Sequence, residues 1–257
     1  MKIEKKISEL RKICLDSSTK KFPIKTPCGP YIFFSNLNWE RYIKGIKYYL
    51  NFVPNGGKVL DVGCGIGHTT CISKIMRKDI DIYGFDIQKN LIWKRLAEYN
   101  VDFLICNTEY SCFEDESFDI VISFGVIEHT KNRNLFIKEI KRILKPGGYF
   151  FVFDLPSKYS FSEAFLGKII QFLKNDKIFF HEKMYIKKEV KDVFLKNGFS
   201  VVVKEQFLIP AQVDRISRFI CNVFNKNYKN IIKIDQLILK TPLKIFSQAF
   251  MVKAKKL

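Results

Sequence analysis

Apolar residues follow two rhythms along this chain. Unbroken runs at Val59 to Val62, Ile80 to Phe85, Val101 to Cys106, Phe118 to Ser123 and Tyr149 to Phe153 suit strands covered on both faces of a parallel sheet. Between them the spacing turns helical. Thr69, Thr70, Ile72, Ile75 and Met76 follow the first run, and Leu135, Ile137, Ile140, Ile143 and Leu144 mark a helix over 134–144, with Lys145-Pro146-Gly147-Gly148 as its stop. Trp39, Tyr42, Ile43, Ile46, Tyr49 and Leu50 predict a helix leading into the first strand. This alternation predicts βαβ units, hence a Rossmann-like α/β fold with a mostly parallel sheet and helices on both faces. Beyond it, a helix is expected over 187–197 with Gly198 as its C-cap, strands over 199–207 and 246–254, and two amphipathic helices between those strands. One apolar face would carry Val213, Ile216, Phe219, Ile220, Val223 and Phe224, the other Ile231, Ile234, Leu237 and Ile238.

The first strand runs into a turn with glycine at every second position. Gly63, Gly65 and Gly67 tolerate positive φ and place no Cβ between backbone and ligand, and the helix that follows offers free N–H groups to an anionic group. The dinucleotide fingerprint G-x-G-x-x-G would need glycine where His68 stands, which argues against a nicotinamide dehydrogenase. Asp61, at the strand end, would repel a pyrophosphate. A zwitterion such as S-adenosylmethionine fits better, its ammonium facing Asp61 and its carboxylate facing the helix. Asp86, about twenty residues beyond the loop at the next strand tip, is placed to accept from ribose hydroxyls. Its competing role is to cap a helix beginning near Asn90.

The segments VLDVGCGIG, YGFDI, FEDESFDIVISFGVIEH (Phe113 to His129) and RILKPGGYFFVFD (Arg142 to Asp154) together resemble the class I S-adenosylmethionine-dependent methyltransferases, in particular the type 11 group that includes the ubiquinone and menaquinone methyltransferases. The likeness is strong over residues 45–155 and weaker over 180–205. It implies a seven-strand sheet ending in an antiparallel pair. It also implies cofactor contacts at Asp61, Gly63, Gly65, Gly67, Asp86, Ile87, Asn107, Thr108 and Phe124. Asn107 departs from the family, which usually has an acid there to hold the adenine amino group; its amide still offers an acceptor and a donor, and neighbouring Glu109 is a substitute acceptor. The family's Glu-His pair is Glu128 and His129. His129 is the candidate general base for a hydroxyl acceptor, against the simpler role, for Glu128 and His129 alike, of capping or bracing the helix that starts near Asn132. Phe124, Gly125 and His129 are expected in the site wall. No metal is expected.

The 257 residues read as a single methyltransferase domain. Within it, 1–38 would form a lid or edge, 39–155 the cofactor-binding core, 156–186 and 209–245 a helical cover, and 187–208 with 246–254 the terminal helix and strands. His181 and Tyr185 are minor candidates for the pocket. The net charge of +18 favours anionic partners. Coding bias towards Lys, Ile, Asn and Phe accounts for about half of the excess. Peripheral contact with an anionic membrane is expected, whereas the lack of an RNA-binding module argues against nucleic acid. Seven scattered cysteines, with no C-x-x-C pair, suggest free thiols in a reducing compartment. The charged start lacks a signal peptide's apolar region, so the expected location is cytoplasmic. The expected activity is methyl transfer from S-adenosylmethionine to a small-molecule or lipid-linked acceptor; the alternative is a non-catalytic S-adenosylmethionine-binding scaffold or regulatory protein.

Overall fold

A computed structural model of the chain describes residues 2–18, 35–160, 183–207, 223 and 226–257. Its strands are β1 (Lys58–Val62), β2 (Asp81–Asp86), β3 (Asp102–Ile105), β4 (Phe118–Phe124), β5 (Leu144–Pro156), β6 (Phe199–Glu205) and β7 (Ala249–Lys256). They form a seven-stranded sheet in the order β3-β2-β1-β4-β5-β7-β6. β2 runs parallel to β1 and to β3, and β4 parallel to β5, whereas β7 is antiparallel to both β5 and β6. The helical connections after β1 and β4 carry the chain back to the end at which the strand began, so the next strand, its neighbour in the sheet, runs parallel to it. The chain divides into two compact units, Met1–Asn107 with Ala211–Ile232 and Thr108–Pro210 with Lys233–Leu257.

In the first unit, α1 (Lys2–Ser18) buries Ile7, Leu10 and Cys14, one helical stripe, against α3 (His68–Met76). The basic start of the chain is therefore a packed helix; residues 19–34 of the expected lid lie outside the described residues. α2 (Asn36–Leu50) opens at Ser35, whose Oγ accepts from Asn38 N at 3.3 Å. It buries Trp39, Ile46, Tyr49 and Leu50, and the Tyr49 hydroxyl donates to Ser73 Oγ of α3. After β2, the expected helix near Asn90 is only the single turn α4 (Trp93–Leu96), followed by a 3₁₀ turn.

In the second unit, α5 (Arg133–Ile143) is capped by Asn132, whose Oδ1 accepts from Asn134 N at 3.1 Å and Leu135 N at 3.2 Å. The helix buries Phe136, Ile137, Ile140 and Ile143, with Phe136 edge-on to Phe150 of β5. The Lys145-Pro146-Gly147-Gly148 stop lies inside β5. Leu144 pairs with Phe118, but the next pair is Tyr149 with Ile120, so these four residues bulge out of the ladder. Gly148 is fixed by that bulge, because a Cβ there would lie 2.9 Å from the Asp119 and Lys145 carbonyl oxygens. α6 (Lys187–Lys196) ends at Gly198 with φ +76° and leads into β6, as the pattern predicts.

The last helix, α7 (Tyr228–Ile238), differs from expectation. Ile231 and Asp235 are its buried residues, while Ile234 and Leu237, predicted on the same face as Ile231, are exposed. Helical spacing identifies residues that share a face without saying which part of that face is covered. A 3₁₀ turn, Pro242–Phe246, connects α7 towards β7. Residues 161–182, 209–222, 224 and 225 of the expected helical cover, including His181 and most of the stripe at 213–224, lie outside the described residues.

Candidate active site

The turn between β1 and α3 is held in one shape from both sides. Gly63, Gly65 and Gly67 have φ of +66°, +54° and +86°, the left-handed region where only glycine is unstrained. The Gly65 N–H donates to Asp86 Oδ2 at 2.9 Å, and the Gly65 carbonyl accepts from Trp93 Nε1 at 2.9 Å. Trp93 is stacked on Phe103 of β3, with ring centroids 5.2 Å apart. The glycines nevertheless serve different ends. A Cβ on Gly67 would lie 2.4 Å from the Phe103 ring, whereas a Cβ on Gly65 would meet nothing within 4 Å. Gly67 is thus demanded by packing, while Gly65 leaves bare backbone facing open space. Trp93 as the loop's second anchor was not indicated by local spacing, because its partner lies 28 residues away in the chain.

Asp61 is buried at the end of β1. Its Oδ2 accepts from Thr69 Oγ1 at 2.6 Å and Thr70 Oγ1 at 2.7 Å, both on the first turn of α3. Burial pushes this carboxyl up to about 6, against the lowering effect of the two hydroxyls. At neutral pH it is an anion held by neutral donors, a setting in which an incoming ammonium is favoured.

At the tips of β2 and β3, the Asp86 carboxylate holds the loop through Gly65 N and its own turn through Gln88 N, at 3.2 Å to Oδ1. Two occupied positions leave lone pairs for further donors. Ile87, next in sequence, is 65% exposed and offers an apolar surface beside Asp86. Asn107 follows β3 and is exposed, with Cys106 N donating to the Asp86 carbonyl at 3.0 Å. These residues suit S-adenosylmethionine: open backbone at Gly65, a carboxylate with spare capacity at Asp86, an apolar surface at Ile87 and a donor-acceptor amide at Asn107.

In the second unit, β4 ends at Phe124, stacked on Phe153 at 4.6 Å, and turns at Gly125, φ +63°, whose N–H donates to the Phe153 carbonyl at 3.1 Å. The 3₁₀ turn Ile127–His129 then separates the Glu-His pair. Glu128 is buried and His129 is exposed. Among the described residues, Glu128 Oε2 and the Ser123 Oγ are buried without a hydrogen-bond partner. Burial raises the Glu128 carboxyl to about 8, and nearby Asp154 pushes in the same direction. Asp154 adopts φ +60°, rare for a non-glycine residue, at a register shift in β5. Asn132 is the cap of α5, so neither Glu128 nor His129 fills that role. Glu109 Oε1 accepts from Asn132 N at 2.7 Å, which engages the acceptor considered as a substitute at Asn107. Thr108 is half-buried just ahead of it. Tyr185 packs under the Arg133 guanidinium, 4.6 Å above its ring. Close by, Lys131, Asn132, Arg133, Asn134, Lys183 and Val193 line an open cavity of about 240 Å³.

Among the described residues no group of three or more His, Cys, Asp or Glu is placed to hold a metal, and no helix is long and apolar enough to cross a membrane. The five described cysteines are free, four of them buried.

Residues 60–152 match the model of a methyltransferase domain family. An uncharacterized protein of Methanocaldococcus jannaschii is 28% identical over 199 residues, covering 70% of this chain and 75% of that protein. The 2-methyl-6-phytyl-1,4-hydroquinone methyltransferase of Synechocystis is 37% identical over 114 residues, 41% of this chain and 34% of the enzyme. The chain thus spans three quarters of the first relative and about a third of the second. Among solved structures, the phosphoethanolamine N-methyltransferase 2 of Haemonchus contortus, in complex with phosphomonomethylethanolamine and S-adenosylhomocysteine, superposes with a TM-score of 0.59 at 20% identity, over 88% of this chain and 55% of that one, a likeness of fold. Residues 60–152 therefore carry a methyltransferase domain of the S-adenosylmethionine-dependent kind.

Proposed function

We propose that this protein transfers the methyl group of S-adenosylmethionine to a small-molecule or lipid-like acceptor. The observation that carries this reading is the loop apex at Gly65, bare towards solvent and fixed by Asp86 and Trp93. S-adenosylmethionine, when bound, supplies an electrophilic methyl group on a sulfonium leaving group.

In this reading Gly63 and Gly65 present main chain to the cofactor, and Gly67 keeps the loop seated. Asp61 favours its ammonium, Asp86 accepts from ribose hydroxyls, Ile87 covers an apolar ring face and Asn107 meets the adenine edge. Holding the reactants in line and excluding water is the main contribution asked of the protein, worth several kcal/mol. With a hydroxyl acceptor, His129 takes the proton; being exposed, it can pass that proton to solvent. A phosphate-bearing acceptor is the second reading, favoured by the Lys131, Arg133 and Lys183 lining of the cavity beside α5.

Titration calorimetry with S-adenosylmethionine and S-adenosylhomocysteine, joined to a labelled-methyl screen over quinol-like and phosphorylated amine acceptors, tests the proposal. Binding with no labelled product from any acceptor returns the scaffold reading. On an oxygen acceptor, His129→Ala is expected to lower kcat by about a hundredfold while leaving the cofactor dissociation constant unchanged.

A further inference from the structure

The surface formed by α7 and the 3₁₀ turn after it combines two features that soluble surfaces rarely join. Leu237 (63% exposed), Ile245 (59%), Leu243 (53%), Ile234 (47%) and Phe246 all project large apolar side chains outward. Lys226, Lys229, Lys233, Lys240 and Lys244 are interleaved with them and exposed. The only acid between residues 226 and 246 is Asp235, and it is buried. The exposed side of this segment therefore carries lysines and large apolar residues, with the uncharged Asn227, Asn230, Gln236 and Thr241 among them and no exposed acid.

We propose that residues 233–246 dock on an anionic lipid surface, with Ile234, Leu237, Leu243, Ile245 and Phe246 entering the headgroup boundary and Lys233, Lys240 and Lys244 pairing with lipid phosphates. Protein interfaces are depleted in lysine, whereas an anionic bilayer attracts it. Apolar side chains flanked by lysines on a short amphipathic element are what an interfacial segment requires. α7 has eleven residues, too few to span a bilayer, so the contact lies on the surface. The proposal rests on exposure and charge, and it stands whether or not the acceptor is itself a lipid.

The test uses the full chain and vesicles of phosphatidylcholine with or without phosphatidylglycerol, read by flotation without turnover. The parent is expected to float only with anionic vesicles and to be released progressively by salt. Lys240→Gln with Lys244→Gln should weaken binding by about 25-fold, about fivefold for each lysine. Leu237→Glu with Ile245→Glu should abolish it, while the melting temperature stays within a few degrees because both sites are exposed. If the glutamate pair fails to fold by circular dichroism, the lysine pair decides the matter. Equal binding to neutral vesicles, no binding to either, or variants that float like the parent overturns the proposal. Self-association that Leu237→Glu abolishes, with no vesicle binding, also overturns it and assigns the face to a second copy of the chain.

Discussion

The loop after β1 and the loop after β4 both follow a parallel strand and both turn through left-handed glycine, yet they are built on opposite terms. In the first, Gly65 is bonded through both its N–H and its carbonyl, and the Asp61 oxygen facing α3 receives two hydroxyls. In the second, Glu128 Oε2 and Ser123 Oγ are buried without partners among the described residues, beside an Asp154 in a strained conformation. A preorganised loop binds without reordering itself, whereas buried polar groups left unsatisfied lower stability and mark a place where a ligand can supply what is missing. The first loop is built to hold, the second to respond.

The comparison breaks first at Gly65. Gly65→Val should raise the dissociation constant for S-adenosylmethionine by at least about a hundredfold, roughly 2.7 kcal/mol, measured by calorimetry. The branched side chain enters the open space above the loop, where no neighbouring atom lies within 4 Å of the new Cβ, and the left-handed φ of +54° adds backbone strain confined to the loop. Unchanged affinity would show that the ligand lies elsewhere.

Glu128→Gln sharpens the contrast from the other side. With its carboxyl raised to about 8 by burial, the folded chain keeps a proton that the unfolded chain releases at ordinary carboxyl pH. The folded state thus binds more protons across that interval, and stability falls as pH rises from about 4.5 to about 8. Denaturation midpoints across this range should show the parent losing on the order of 3 kcal/mol that the glutamine variant does not lose. Parallel profiles for the two proteins would place the proton on another group. The smallest effect is expected for Trp93→Phe, which keeps the stacking on Phe103 but removes the donor to Gly65. A loss of about 1 kcal/mol in cofactor binding, with little change in melting temperature, should be visible by calorimetry.

Much of the first loop was legible in the sequence because its requirements are local. The alternating glycines, the strand before them and the helix after them lie within Lys58–Met76, and Asp86 follows at the next strand tip. The start of α5 near Asn132 was equally local, although the cap itself falls to that asparagine and not to Glu128 or His129. What escaped was set by distant partners. The bond from Trp93 to Gly65 needs β3 in place to support the indole. Glu128 and His129 are adjacent, and only the 3₁₀ turn decides that one faces inward and the other outward. The β5 bulge depends on pairing with β4, so four residues that look like a helix stop become part of a strand. In α7 the periodicity is real, but Ile234 and Leu237 stay outside because burial depends on what lies opposite.

The aromatic ring at position 103 fills the space that side chains at 67 and 84 would otherwise claim, since a Cβ on Gly84 would come 2.9 Å from it and one on Gly67 closer still. Positions 84 and 103 therefore trade volume, whereas Gly67 is fixed by its left-handed φ as well. Gly84→Ala alone should be more damaging than Gly84→Ala with Phe103→Leu, and a double-mutant cycle between 84 and 103 should show positive coupling. The loop after β1 thus owes its shape to a ring on a strand that the chain reaches only after a further strand has been laid down beside it.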